Sequence, residues 1–244
     1  MKHASCTIFA LTLAAVAGGV LAQAYPSKPI RLVVPFAPGG PADIQARLIG
    51  PKLTEAWGQP VIVENRPGGN TIIATELTAR AEPDGHLVQV ISAGFAINTS
   101  LYAKLPYDSL RDFAPVTQLT SGPAIVVVHP SLPARSGRLR ALATTGAKRS
   151  PATPDLPTMI EAGLPGYEAA NWFGTAVPAK TPPAIVSKLS QEIARVLRLP
   201  DVGERLLSQG MEPTTSTPEE FAAYIRSEMT KWAKVVKASG AKAE

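Results

Sequence analysis

Cysteine is nearly absent from this 244-residue chain: the only one is Cys6. It lies inside an N-terminal apolar segment. Without that segment the chain has no disulfide, no thiol nucleophile and no thiolate metal ligand. Histidine is scarce too, with only His86 and His129 beyond the N-terminal segment. A structural zinc site usually takes four Cys or His ligands, so no metal is expected. Aromatics make up 6% and charged residues 18% of the chain, and the formal charge is +5. The basic residues are scattered, with Lys148-Arg149 the densest pair. No nucleic-acid module accompanies them, so no nucleic-acid partner is expected. The mild positive charge instead suits attraction of anions.

Enzyme signatures are missing as well. There is no G-x-S-x-G elbow, no H-E-x-x-H, no phosphate-binding G-x-x-x-x-G-K-[ST] and no G-x-G-x-x-G. His86 sits within a strand pattern and His129 ends one, so both read as structural or surface residues. Glu64, Glu76, Asp84 and Asp108 have no sequence neighbour that marks a catalytic pair. No catalytic residue and no cofactor are expected.

The N-terminus holds an export signal. Lys2 and His3 precede an apolar run from Ile8 to Leu21, and Ala22-Gln23-Ala24 supplies the small-x-small pattern of a cleavage site. The run is too short for a stable membrane anchor. Cleavage is expected after Ala24, giving a periplasmic, soluble protein that begins at Tyr25.

Beyond that point apolar strands alternate with helices. Ile30–Phe36, Val61–Glu64 and His86–Ser92 read as strands. Ala42–Trp57, which Pro51 should kink or split, and Ile72–Ala81 read as helices. This alternation predicts an α/β fold with a mainly parallel sheet. Further strands are expected at Phe113–Leu119, Ala124–His129, Arg138–Thr144 and Trp172–Val177. Pro182–Leu199 is an amphipathic helix. A last helix starts at Pro218, with Thr217 as its N-cap.

Three places could hold a ligand. The first is the turn Phe36-Ala37-Pro38-Gly39-Gly40 ahead of a helix. Its glycines either let a ligand approach the backbone or simply make a tight turn. The helix behind it offers free N–H groups and the positive end of its dipole to an anion. Asp43 in the first turn is either a helix-start acid or an acceptor for ligand. The second place is the loop expected at Ser92 to Asn98, beyond the carboxyl end of a strand, where Ser92, Ala93 and Asn98 would meet a ligand. The third is Asn171-Trp172-Phe173, where Trp172 is either a core residue or an aromatic wall.

Several segments together resemble a known family. They are Tyr25-Pro26, Val34 to Gly40 with Asp43 and Ala46-Arg47, Pro60 to Gly68, Pro83-Asp84-Gly85, Leu105 to Asp108, Leu139 to Thr144, Glu161 to Glu168, Trp172-Phe173-Gly174 and Pro178 to Pro182. In this order they are similar to the Bug proteins, the periplasmic solute-binding receptors of tripartite tricarboxylate transporters. The resemblance implies a type II periplasmic-binding-protein clamp (a Venus flytrap) with two lobes. Ligand would sit between the lobes, which are joined by two crossing segments near Val116–Thr120 and Asn171–Thr175. It also implies a small carboxylate held at Phe36–Gly40 largely through backbone groups, and a monomeric receptor that hands its ligand to the membrane components of a transporter or to a sensor protein.

Two departures from the family pattern stand out. Where relatives have further glycines after Arg66-Pro67-Gly68, this chain has Gly69-Asn70-Thr71-Ile72-Ile73. Between Leu132-Pro133-Ala134 and Gly137-Arg138-Leu139-Arg140, roughly 70–80 residues of the family pattern are missing by this resemblance. The expected division is a signal peptide over 1–24, lobe one over 25–117 and 173–244, and a truncated lobe two over 118–172. The remnant is smaller than a core usually needs. A chain that no longer binds, and an exported enzyme acting on a carboxylate, are the alternatives to a receptor.

Overall fold

A computed structural model describes residues 25–129 and 140–243. The expected signal segment and most of the shortened junction at Ser131–Arg140 lie outside these residues.

The chain begins with three strand-to-helix units. Strand β1 (Ile30–Val34) leads to helix α1 (Pro41–Trp57), and β2 (Val61–Asn65) leads through a 3-10 turn (Gly69–Thr71) to α2 (Ile72–Ala79). Strand β3 (Leu87–Ser92) runs directly into α3 (Ala93–Leu101). Both faces of β1 are buried and its side chains alternate. Ile30, Leu32 and Val34 join the core under α1, while Val33 packs with Ala74 of α2. Burying each such side chain contributes about 1.5–3 kcal/mol.

Strand β4 (Phe113–Pro123) and strand β7 (Ala170–Pro178) extend the sheet, and β8 (Glu212–Pro213) closes it, in the order β2-β1-β3-β7-β4-β8. Only β2, β1 and β3 are parallel; β3–β7, β4–β7 and β4–β8 pair antiparallel. The expectation of a mainly parallel sheet thus holds for one half. The other half is antiparallel because β4 carries the chain out of the sheet and β7 brings it straight back, without a helical crossover between them.

Helices cover both faces. On one side α1 packs with α4 (Pro183–Leu197) and α5 (Pro200–Leu207) through Leu53, Leu189, Ile193 and Leu206. On the other, α3 packs with α6 (Pro218–Ser239) through Phe95, Phe221 and Ile225, over Trp172 of β7. Gly174 of β7 lies so close to α6 that a Cβ there would stand 2.1 Å from Cζ of Phe221. The helix α6 starts with a capping box between Thr217 and Glu220, which satisfies two otherwise free N–H groups.

Two sequence expectations change locally. Helix α1 is not split at Pro51 but runs on as one element. Pro51 lies on its exposed side, where water can satisfy the carbonyl its missing N–H leaves free. The segment at Ser92 to Asn98 is not a loop: α3 begins at once after β3, with Ser92 as its N-cap residue.

The segment between β4 and β7 is slight. It contains a two-stranded antiparallel sheet of β5 (Ile125–Val128) and β6 (Arg140–Thr144). An isolated bridge between Thr144 and Thr158 adds to it. Ile125 and Val127 point outward from β5 and are 45% and 46% exposed.

Candidate functional site

The parallel half of the sheet sends three strands toward the same edge, and each is followed by a helix. The N-termini of α1, α2 and α3 therefore converge at the carboxyl ends of β1, β2 and β3, where ligands sit in open α/β sheets. None of the three helices has a side-chain cap. Each N-terminus carries about half a positive charge, although the Ile72 N–H at the start of α2 already donates to the Gly69 carbonyl and Pro41 at the start of α1 has no N–H. A cavity of about 710 Å³ opens there, lined by Phe36 to Ala42, Asn70, Thr71, Ser92, Gly94, Asn171 and Phe173. No lining residue carries a charge.

The first wall is the turn after β1. Gly39 adopts φ +85°, in the left-handed region that favours glycine. Its N–H donates to Asp43 Oδ2 at 2.9 Å, so that group is used inside the protein. Asp43 is 3% exposed. It also accepts from Arg47 Nε at 2.9 Å and, through Oδ1, from Asn65 Nδ2 at 2.9 Å. Asn65 Nδ2 also donates to the Phe36 carbonyl at 3.0 Å, stapling the turn to β2. Burial alone would raise the Asp43 carboxyl. The bonds from Arg47, Gly39 and Asn65 outweigh it and hold the carboxyl below its ordinary range.

The second wall is strained. Asn70 and Thr71 are the non-glycine residues with positive φ among those described, at 48° and 75°. A β-branched residue there is an outlier. Asn70 is held from behind by Asn98, through Asn70 Nδ2 to Asn98 Oδ1 and Asn98 Nδ2 to the Asn70 carbonyl, each 2.8 Å. The Thr71 carbonyl accepts from Thr75 Oγ1 at 2.9 Å. This is the stretch where the sequence substitutes bulkier residues for glycine.

The floor comes from strand register. Ser92, at the end of β3, pairs with Phe173 of β7. Phe173 meets Phe36 edge to face, with ring centroids 6.4 Å apart.

Of the residues singled out from sequence, the structure brings Phe36, Ala37, Pro38, Gly39, Gly40 and Ser92 together around the cavity. Four stand elsewhere. Asp43 lies behind the turn. Ala93 is in the first turn of α3 but outside the lining. Asn98 is fully buried on α3, clasping Asn70. Trp172 is also fully buried and faces the opposite side of β7, where its Nε1 donates to Glu228 Oε2 at 3.0 Å. Its neighbour Phe173 takes the wall position, because successive strand residues point to opposite faces. Asn70, Thr71, Gly94 and Asn171 also line the cavity. The signal for Asn70 and Thr71 was their replacement of glycine in a turn.

Two other hollows suit an anion less well. The one of about 890 Å³ beside α2 is lined by charges already paired, including Arg31 with Glu64, Arg80 with Glu76 and Lys28 with Asp84. The one of about 780 Å³ at the start of α6 faces Glu219, Glu220 and a helix end already capped by its own residues. Among the described residues, no group of three or more His, Asp or Glu is placed to hold a metal ion. No helix there is long and apolar enough to cross a membrane.

The family profile described as the tripartite tricarboxylate transporter family receptor (TctC) matches residues 45–136 and 133–241. The two matches meet at the junction where the sequence runs short of the family pattern. Protein BugT of Bordetella pertussis is 31% identical over 311 residues, spanning 95% of each chain. That alignment is longer than this chain, so the relative carries a stretch that this chain lacks. Among solved structures, the periplasmic binding protein BugD has a TM-score of 0.81 at 26% identity, covering 90% of this chain and 100% of its own. MatC of Rhodopseudomonas palustris, solved with bound malate, has a TM-score of 0.80 at 26% identity, covering 87% of this chain and 100% of its own. The architecture is therefore that of the periplasmic binding proteins, in a shortened form.

Proposed function

The chain belongs to the tripartite tricarboxylate transporter receptor family, and from that premise we propose that it is an exported solute-binding protein that captures a small carboxylate without transforming it. The observation that carries this reading is the convergence of three uncapped helix N-termini on one cavity. Together they supply donors and positive potential for one carboxylate with no cationic side chain. The lining has no titratable side chain, so general acid or base catalysis has no group to work with there. Malate in the MatC structure supports the ligand class.

In this reading Phe36 to Gly40 and Ser92 touch the ligand, and Asp43 and Asn98 hold the walls that do. Residues 118–172 are the remnant of the second jaw. The protein acts as a monomer in the periplasm after cleavage behind Ala24, and delivers its ligand to the membrane components of a transporter or to a sensor.

The test is a thermal-shift and calorimetric screen of the purified mature chain against mono-, di- and tricarboxylates, with product analysis alongside. Saturable binding with the carboxylate recovered unchanged is expected. Turnover would indicate an enzyme, and absence of binding across the screen would indicate a degenerate chain.

A further inference from the structure

We infer that the preferred ligand is an aryl monocarboxylate, seated with its ring against Phe36 and Phe173 and its carboxylate at the helix N-termini; this rests on the carboxylate reading above. The cavity offers one kind of anchor for charge and another for an apolar body. The charge anchor is the set of N-termini of α1, α2 and α3. The rest of the lining is Phe36, Phe173, prolines, alanines and glycines, with only the neutral Asn70, Thr71, Ser92 and Asn171 as polar side chains.

A second carboxylate on the ligand finds no cation in this lining. The nearby guanidinium of Arg47 is bonded to Asp43 and Asn65, and that of Arg66 to Glu64. A second carboxylate entering the cavity would lose water without gaining a counter-charge. A flat ring does better. Phe36 and Phe173 meet edge to face at 82°, so a ligand ring lying in the corner against both meets one by its face and the other by its edge, the favoured aromatic geometries.

The remnant between β4 and β7 strengthens the case. Asn171 and Phe173 are the cavity residues on β7, the strand that returns from it, and neither is charged.

The experiment is isothermal titration of the mature chain with phenylacetate, benzoate, acetate, malate, succinate and citrate, repeated on Phe36→Ala. Phe36 is half-exposed, so this variant should keep the fold, and thermal unfolding checks that it does. The expected result is that phenylacetate or benzoate binds at least about tenfold more tightly than malate or succinate. Phe36→Ala should remove about tenfold of that aryl affinity, the order of one aromatic contact, a larger loss than acetate suffers.

Tighter binding of malate, succinate or citrate overturns the inference while leaving the carboxylate reading standing. Equal aryl affinity in the folded Phe36→Ala variant overturns it likewise. Failure of every carboxylate overturns both.

Discussion

Asn98 and Asn70 clasp one another across the back of the cavity: each side-chain amide donates a 2.8 Å hydrogen bond to the other residue. The clasp holds Asn70 at φ 48° and brings Thr71 to φ 75° at the start of α2. It turns a position where glycine would be easiest into a rigid wall.

Replacing Asn98 with Ala removes both bonds and lets the turn relax. The expected cost is about 1–3 kcal/mol of stability, typical of losing a buried hydrogen-bonded pair. Ligand affinity should fall with it, because the α2 N-terminus loses its aim. Urea denaturation and calorimetry read the two effects, and unchanged affinity would show that α2 takes no part in binding.

Acid should loosen the first wall. The Asp43 carboxyl is held below its ordinary range in the folded protein. Its contribution is therefore fully present above the unfolded value near pH 4 and is lost as pH falls through the folded value. Asp43→Asn should be less stable than the parent at pH 7, and the gap should narrow as the pH drops below about 4. Denaturation midpoints of both proteins from pH 7 to 3 provide the measurement; a gap that stays constant with pH would contradict the assignment.

Glu228 is buried, and its Oε2 accepts from both Trp172 Nε1 and Trp232 Nε1, each at 3.0 Å. Its other oxygen pairs with Lys231. Glu228→Leu strands two indole N–H groups and should cost about 2–4 kcal/mol, whereas Glu228→Gln keeps an acceptor and should cost less. Tryptophan emission and chemical denaturation distinguish the two variants.

The sheet of β5 and β6 should open first. Two strands alone are marginal in water, and Ile125, Val127 and Leu142 are left exposed. Amides of Val126 to Val128 should exchange faster than those of Leu32 to Val34, by hydrogen exchange followed with mass spectrometry. Equal protection would mean that the remnant is held as firmly as the main core. Val127→Thr should reduce association at high concentration without lowering stability.

Much of the fold was readable in the sequence because its pattern is strong. β1, β3 and β5 are apolar β-branched runs between breakers, and α4 and α6 carry apolar stripes at helical spacing. α3 was not readable. Its sequence is Ala-Gly-Phe-Ala-Ile-Asn-Thr-Ser-Leu, rich in residues with weak helix propensity, and what holds it is packing of Phe95 and Ala96 against α6.

The site was legible to the same degree. The Pro-Gly-Gly turn ahead of a helix marked one wall, since few other arrangements need those residues there. Choosing between Trp172 and Phe173 needed the pairing of Ser92 with Phe173, because alternation says that the two rings part but not which one faces the cavity. Asn98 drew notice as a donor near a strand end. Its partner proved to be Asn70, a relationship that only the folded chain reveals.

The pairing of β4 with β7 has a mechanical consequence. The two strands are bonded to one another from Phe113–Pro178 to Pro123–Ala170, with register shifts between Pro115 and Thr117 and between Gln118 and Thr120. The segment beyond is therefore reached through a double-stranded ribbon and not through two independent tethers, and it also meets the main body where Ser150 Oγ stands 3.5 Å from Glu212 Oε1. Both bulges lie where β7 is also held by β3, and β8 holds Thr120 and Ser121, so only Gly122 and Pro123 against Asn171 and Ala170 stand clear of a third strand. The exit from the sheet is thus two residue pairs long, a stub of ribbon rather than a pair of arms.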